Sequence, residues 1–361
     1  MKIFIVCTRL CFGGAERVAA MLANGLSQRG HQITLIANLF DDITYPICSD
    51  VELKNLFPQR KNKYLKWITS FFLLRKYVRQ EKPDVVVGIM WTCSLRAKFA
   101  CIGKSIPVVS TIHDALERPA SAKFSRMESF HKFQLNKLYD HVTVLTNADK
   151  AIAEKMFKNT HVMPNPLSLE PVGDVPPKRN VILAAGRLED WRVKGFDLLI
   201  EAWGKLSAKH PDWILQIAGV GNEESQQFLI DLAIKSGMAP HQFQLLGFKE
   251  NIIDVYREAA IFVLSSRYEA FGLVLLEAMS QGCACIACDY KGRQHEIIRH
   301  GNEGLLCMPE QAEDLVAKLD TLLTDVAYRE KLQKNAIEAS KRFLPNKIID
   351  KWEKLLFEIT R

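Results

Sequence analysis

Short, near-continuously apolar runs recur through the first half of the chain, at Ile3–Cys7, Ile33–Ala37, Asp84–Ile89, Val108–Ile112 and Val142–Leu145. They lack the apolar–polar alternation of a strand with one wet face, so they predict strands covered on both faces. Between them, apolar residues return every three or four positions over about 14–29, 62–82, 92–103, 121–139 and 147–157. That is the period of amphipathic helices. Strands alternating with helices predict a parallel, doubly wound α/β sheet.

The pattern then breaks. Residues 163–177 hold five prolines among 15 positions, which suits a connection between domains. It restarts with strands at Val181–Ala185, Ile214–Ala218, Phe243–Leu246, Ile261–Leu264 and Ala284–Ala287. Helices are predicted near 195–209, 223–236, 250–259, 270–281, 292–300, 310–324 and 327–343. The division expected is an N-terminal domain over 1–165, a linker over 166–177 and a C-terminal domain over 178–345. Beyond Pro345 the chain is amphipathic, with Ile348, Ile349, Trp352, Leu355, Leu356 and Ile359 on one broad face. That helix, 346–361, is a candidate to complete the N-terminal domain. Two Rossmann-like sheets of this kind are expected to face a central cleft and to bind ligands beyond the carboxyl ends of their strands.

Composition narrows the class. The chain has 361 residues, 48% hydrophobic and 25% charged, with no apolar run of 18. A membrane-spanning helix is not expected. The opening MKIFIVCTRL lacks the long apolar core and small-residue cleavage site of a signal peptide. Nine scattered cysteines, an odd number, and no Asn-x-Ser/Thr site favour the cytoplasm over a disulfide scaffold. The net charge of +7 divides unevenly: residues 1–170 carry 24 Lys/Arg against 14 Asp/Glu, and residues 171–361 carry 24 against 27. A basic half at +10 and an acidic half at −3 suggest different tasks, with an anionic membrane, a polyanion or a phosphorylated substrate as partner of the first.

Candidate chemistry lies at strand ends. After the first strand, Gly13-Gly14-Ala15-Glu16 opens a helix. Two glycines permit close backbone approach, and a helix start offers free N–H groups to an anion; a plain tight turn is the alternative. The chain has neither Gly-x-Gly-x-x-Gly nor a Walker A loop, which counts against dehydrogenases and P-loop enzymes. The first strand of the second half runs into Gly186-Arg187, and Lys194-Gly195-Phe196 follows. An arginine fork and a lysine point charge there suit a pyrophosphate, or simply solubility. Glu269 and Glu277 lie eight positions apart around Phe271-Gly272-Leu273, where a helix begins. A carboxylate among Leu275, Leu276, Ala278 and Met279 needs a partner, for which ribose hydroxyls would serve. Cys283, Cys285 and Cys288 lack a fourth ligand at metal spacing and read as small strand hydrophobes. His295-Glu296 and His300 miss zinc-protease spacing by one residue.

These motifs, in this order and on two doubly wound units, resemble family 4 of the retaining glycosyltransferases, with the GT-B architecture, over nearly the whole chain. The resemblance implies a role for each matching residue. Gly14, and Gly13 on the acceptor side, would lie by the donor diphosphate and incoming acceptor. Gly186, Arg187 and Lys194 would hold the diphosphate, and Glu269 would contact the donor sugar with help from the N–H groups of Phe271, Gly272 and Leu273. Glu277 would grip the ribose, and Phe248 stands where the family's base pocket lies. His113 matches the family's histidine near the reaction centre, and Asn165 in Pro-Asn-Pro matches the linker. Where relatives often carry a second glycine, this chain has Arg293, which faces either the acceptor or solvent. The absence of Asp-x-Asp argues against the metal-dependent GT-A type, so no metal and no cofactor are expected.

The segment from Arg60 to Lys82 holds eight Lys/Arg and one Glu around Trp67, Phe71, Phe72, Leu74, Tyr77 and Val78. It reads either as a membrane-surface helix or as a helix packed on its own domain with snorkelling cations. The expected activity is metal-independent, retaining transfer of a hexose or N-acetylhexosamine from a UDP-sugar to a membrane-anchored or lipid-pyrophosphate-linked glycan. The expected location is the cytoplasm, peripherally on the inner face of the cell membrane, in polysaccharide biosynthesis. The alternatives are a GT-B nucleotide-sugar epimerase or hydrolase, and a non-catalytic nucleotide-sugar-binding partner of an assembly complex. A nucleic-acid-binding role is not expected.

Overall fold

A computed structural model describes every residue except Phe12, residues 59–61, Ala120, Ser121 and Glu250, and gives no side-chain placement for Lys63 and His131. The chain divides into two compact units, Met1–Ser168 with Phe343–Arg361, and Leu169–Arg342.

The first unit contains β1 (Lys2–Val6), α1 (Gly14–Ser27), β2 (Gln32–Ala37), β3 (Glu52–Asn55), α2 (Lys63–Glu81), β4 (Val85–Ile89), α3 (Met90–Cys101) and β5 (Val108–Thr111). A short α4 (Arg126–Ser129) runs into a π turn (Phe130–Gln134) and a 3-10 turn (Leu135–Leu138), followed by β6 (His141–Val144), α5 (Asn147–Ala153) and β7 (Asn159–Val162). The strands lie in the order β3-β2-β1-β4-β5-β6-β7, all parallel. Phe4, Val6, Val86, Val108 and Val142 meet Leu74, Val78, Ala97 and Ala100 of the helices in one core.

The second unit contains β8 (Arg179–Ala185), α6 (Trp191–Lys194), α7 (Phe196–Ser207), β9 (Ile214–Ala218), α8 (Glu223–Lys235), β10 (Phe243–Gly247), α9 (Ile252–Glu258) and β11 (Ala259–Leu264). It continues through α10 (Leu273–Ser280), β12 (Ala284–Cys288), β13 (Leu305–Cys307), α11 (Ala312–Thr324) and α12 (Val326–Ser340). Its order is β10-β9-β8-β11-β12-β13, again all parallel. Trp203, Leu199, Ile182, Ile217, Val263 and Leu319 anchor its core. Both sheets are therefore the Rossmann-like α/β type that the pattern predicted.

Three strands have no counterpart in the sequence pattern, and all three are edge strands. β3 reads Glu-Leu-Lys-Asn and β7 reads Asn-Thr-His-Val, because an edge tolerates polar side chains. β13 is apolar but only three residues long. Two helix expectations also need correction. Residues 292–300 form only a 3-10 turn at Gln294–Glu296. Side chains compete for the backbone there: Asp289 Oδ1 accepts from Gln294 N at 2.9 Å, and Gln294 Oε1 accepts from Tyr290 N at 3.0 Å. The expected helix over 121–139 begins late, at a Ser125–Glu128 capping box, and widens into the π turn.

The proline-rich stretch is docked along much of its length. Val172 N donates to Ser280 O at 3.0 Å, and Gln281 Nε2 donates to Glu170 O at 2.9 Å. After α12 the chain re-enters the first unit, where Leu167 N donates to Phe343 O at 2.7 Å. α13 (Pro345–Thr360) then packs on α1. Its buried face is Ile348, Ile349, Trp352, Leu355 and Leu356. Gly25 makes room for Ile349, since a Cβ at Gly25 would lie 2.6 Å from Ile349 Cγ1. Arg29 and His31 bond Glu353 at 3.4 and 2.7 Å. Trp352→Ala should destabilise the first unit by about 3–5 kcal/mol through the cavity it leaves. Urea unfolding followed by near-ultraviolet circular dichroism measures this; a change below about 1 kcal/mol would mean that α13 is not part of that core.

Candidate functional site

In each sheet the strand order reverses once, between β1 and β4 and between β8 and β11. The loops leaving the strands diverge there, opening a crevice at their carboxyl ends. Gly13, Gly14, Gly186, Arg187, Lys194, Glu269 and Phe271 to Leu273 lie near these two points, whereas Phe248 and Asn165 follow the edge strands β10 and β7 and Arg293 follows β12.

In the second unit, Gly186 and Arg187 follow β8, and Lys194 ends α6. Gly195 holds φ +65°, and a Cβ there would lie 2.0 Å from the Ser265 carbonyl oxygen. Only glycine lets this turn approach the loop after β11 so closely. Ser265 Oγ donates to Lys194 O at 2.9 Å. Lys194 Nζ then meets Glu269 Oε2 at 2.8 Å, with both side chains largely buried. The Glu269 carboxylate is the main reason the Lys194 ammonium titrates above its ordinary range. Lys194 and Glu269, 75 positions apart, are thus one unit. Arg187 is different: its side chain is 73% exposed and pairs with Asp190 at 2.7 Å. Such a surface pair contributes little stability, leaving the guanidinium available.

Phe271 is buried, and Gly272, at φ +94°, precedes Leu273, the first residue of α10. Glu277 is buried on that helix and accepts a hydrogen bond from the Tyr256 hydroxyl at 3.1 Å. Phe248, beyond β10, is 60% exposed. Arg293 corrects the solvent alternative: it is fully buried, with Nη1 donating to Tyr290 O at 3.2 Å. Cys283 and Cys285 are buried, their thiols donate to nearby carbonyls, and burial pushes Cys283 up to about 11. Among the described residues no group of three His, Cys, Asp or Glu could hold a metal ion.

Sequence reasoning overlooked three residues that hold this site. Arg267 grips Asp197 of α7 with two bonds of 2.7 and 2.8 Å and also donates to Arg192 O, clamping the β11 loop beside Lys194. Tyr256 supports Glu277. No local spacing announces such pairs, because the partners come from different strand–helix repeats.

In the first unit, Gly13 caps α1 and Gly14 begins it. The Tyr45 hydroxyl accepts from Gly13 N at 3.0 Å and donates to Gly13 O at 2.9 Å. A Cβ on Gly13 would lie 2.0 Å from Glu16 Oε2, so the chain's own carboxylate folds over this helix start. His113, beyond β5, has both ring nitrogens buried and, among the described residues, without a hydrogen-bond partner. Burial pushes it down to about 4, against the opposing influence of Asp114 and the nearby Asn165 side chain. Neutral imidazole offers one donor and one acceptor, the complement of a hydroxyl. Asn165 is buried too, and its Oδ1 is likewise unpartnered.

Comparisons with known proteins bear on the family and the fold. The model described as Glycosyltransferase Family 4 matches residues 12–171, and the model described as Glycosyl transferases group 1 matches residues 168–339. The chain is 27% identical, over 99% of both chains, to the GalNAc-alpha-(1->4)-GalNAc-alpha-(1->3)-diNAcBac-PP-undecaprenol alpha-1,4-N-acetyl-D-galactosaminyltransferase of Campylobacter jejuni. Its fold resembles sucrose-phosphate synthase from Thermosynechococcus elongatus, with TM-score 0.83, 19% identity and coverage of 99% and 98% of the two chains. It also resembles Anabaena Alr3699/HepE in complex with UDP, with TM-score 0.79, 19% identity and coverage of 99% and 100%.

The depressed His113 value has a consequence for stability. As pH falls below about 6.5 the unfolded chain takes up this proton first, so stability declines until about pH 4, by roughly 3 kcal/mol. The loss should be absent in His113→Asn. Denaturant midpoints of both proteins between pH 7 and 4 test it; parallel curves would contradict a buried neutral ring.

Proposed function

The chain belongs to glycosyltransferase family 4, with the GT-B fold, and on that premise we propose that it moves a hexose or N-acetylhexosamine from UDP to a hydroxyl of a lipid-diphosphate-linked glycan. In this proposal the anomeric configuration is retained and no metal ion is used. The observation that carries the donor half is the Lys194–Glu269 pair at the β8/β11 switch point, beside the exposed Arg187. Two cations and a carboxylate grouped in this way suit a sugar diphosphate. The lipid-linked acceptor is inferred from the Campylobacter relative's name, and UDP from the Anabaena complex.

The leaving group is the nucleotide diphosphate. Charge grows on its phosphate as the glycosidic bond lengthens, and Lys194 and Arg187 stabilise that charge. Gly186 lets the diphosphate approach the backbone, and the N–H groups of Phe271, Gly272 and Leu273 face the donor. Glu269 takes hydroxyls of the sugar and Glu277, held by Tyr256, takes the ribose. Glu269 orients the sugar; the acceptor hydroxyl attacks on the face the leaving phosphate departs from, and that phosphate takes its proton. His113, neutral at physiological pH, meets a hydroxyl of the reacting sugars.

Binding should separate the two glutamates. Glu277→Gln should weaken UDP about tenfold, because the ribose belongs to the nucleotide. Glu269→Gln should leave UDP affinity unchanged or slightly tighter, since Lys194 loses its competing carboxylate, and should lower transfer at least a hundredfold. Calorimetry with UDP and transfer assays, both in EDTA, measure this. Equal UDP losses would refute the division, and loss of wild-type transfer in EDTA would refute metal independence.

Among the described residues no helix is long and apolar enough to cross a membrane, and we assign peripheral contact to α2. Its apolar arc divides. Leu74 and Val78 are buried in the core, whereas Tyr64, Ile68 and Phe72 form an exposed stripe that continues into exposed Lys76. Arg60 and Lys61 lie outside the described residues. Arg75 is engaged, donating to the carbonyls of Phe99, Ala100 and Ile102 at the end of α3. Lys76, Arg79 and Lys82 are the exposed cations, each worth about 1 kcal/mol near an anionic leaflet. Sedimentation with phosphatidylglycerol vesicles at low salt should retain the wild type. Phe72→Ser combined with Lys76→Glu and Arg79→Glu should release it, and neutral vesicles should bind neither. A wild type indifferent to anionic vesicles would leave the stripe without a lipid role.

A further inference from the structure

The first unit contains a pocket beside His113, apart from the residues assigned to the donor diphosphate. It opens at the carboxyl ends of β4 and β5, between Met90, Trp91, His113, Phe124 and Lys132, and encloses about 50 Å³. That is room for about three or four water centres, comparable to a phosphate group. Its wall includes Met90 at φ +65°, a strained conformation for a non-glycine residue of the kind that clusters at ligand sites.

The pocket's charges are segregated. Lys132 is inside: its side chain is 9% exposed, its Nζ donates to Ala115 O at 2.7 Å, and it lies 4.4 Å from the centre of the Phe124 ring. Arg118, 19% exposed, packs on the same ring at 4.3 Å. The two carboxylates of the lining are more exposed. Asp114 is 52% exposed and 3.9 Å from Lys132, and Glu128 is 50% exposed and 3.6 Å from Arg118. Glu128 is already committed to the capping box, where its Oε2 accepts from Ser125 N at 2.8 Å. Asn136 is turned away, bonded to Ser110 and to the Lys132 carbonyl. His113 completes the wall with its unpartnered ring nitrogens.

A buried ammonium whose short contact is a carbonyl is incompletely compensated, and burial accordingly pushes Lys132 down to about 8. An entering oxyanion would supply the missing charge. An arginine fork and a lysine point charge lining one pocket match the oxygens of a phosphate. We propose that this pocket binds a phosphate group, with Lys132 and Arg118 as its donors, and that in the working enzyme the phosphate is carried by the acceptor's diphosphate. The second part rests on the lipid-diphosphate acceptor proposed above. The pocket is distinct from the donor diphosphate site, which lies on the other unit at Arg187 and Lys194.

The test fills the donor site with saturating UDP and titrates inorganic pyrophosphate by calorimetry. Wild type should bind it, and Lys132→Gln and Arg118→Gln, each checked for folding by its thermal transition, should weaken it at least tenfold. A second arm compares a short-chain prenyl-diphosphate sugar with the methyl glycoside of the same sugar as acceptors. Wild type should favour the diphosphate at least tenfold in kcat/KM, and Lys132→Gln should erase the preference. Absence of pyrophosphate binding at millimolar concentration, or binding that neither variant weakens, overturns the pocket. Binding that tracks Lys132 with no acceptor preference means the ligand is free phosphate, and overturns the acceptor half. Failure of both acceptors while pyrophosphate binding still tracks Lys132 counts against the proposed reaction and leaves the pocket standing.

Discussion

Parallel strands covered by helices on both faces leave little room for polar side chains, and their backbone groups are taken up in the ladders. Ile3, Phe4, Ile5 and Val6 of β1 are fully buried, as are Ile261 and Phe262 of β11. Polar chemistry is thereby driven to the loops, and most effectively to those at the points where strand order reverses. The cations nearest the cores show how that expulsion is settled. Lys194 is met by a carboxylate and its charge is reinforced; Lys178 is met by the carbonyls of Tyr256 and Gln281, and Lys132 most closely by that of Ala115, and both titrate lower than usual. Charge compensation, more than burial itself, separates a cation already balanced from one that would welcome an anion.

The same constraint explains what was legible beforehand. Central strands announce themselves because burial on two faces demands unbroken apolar runs, and the linear motifs at their ends, such as Gly186-Arg187 and Glu269 to Glu277, travel with them. Edge strands β3 and β7 escape because one side of an edge is free of the demand. The turn at Gln294–Glu296 escapes because Asp289 and Gln294 satisfy the backbone locally, a competition that helical periodicity does not register. Arg293 sits beside that turn. Its type suggests a surface, yet it is buried against Tyr290, so residue type alone misplaces it.

Long-range pairs were the least legible part of the site. Arg267 and Asp197 are 70 positions apart, and Tyr256 and Glu277 are 21 apart. Neither spacing follows a helical or strand period, so only the folded topology brings them together. The pocket beside His113 belongs to the same class. Its cations stand in a stretch whose helical pattern is broken by the capping box at Ser125 and the π turn after Ser129, so no regular face displays them together.

The return of α13 to the first unit carries a consequence for biosynthesis. A ribosome delivers β1 to β7 early, but the surface of α1 around Gly25 and Arg29 stays uncovered until residues 345–360 emerge. At translation rates of about 5–20 residues per second, the intervening stretch occupies roughly 10–40 s. The second unit, whose segment is continuous, has all its residues in hand before the first unit does. For that interval the face of α1 that α13 later covers stays exposed, which makes the nascent chain a natural client for a chaperone that shields hydrophobic surface.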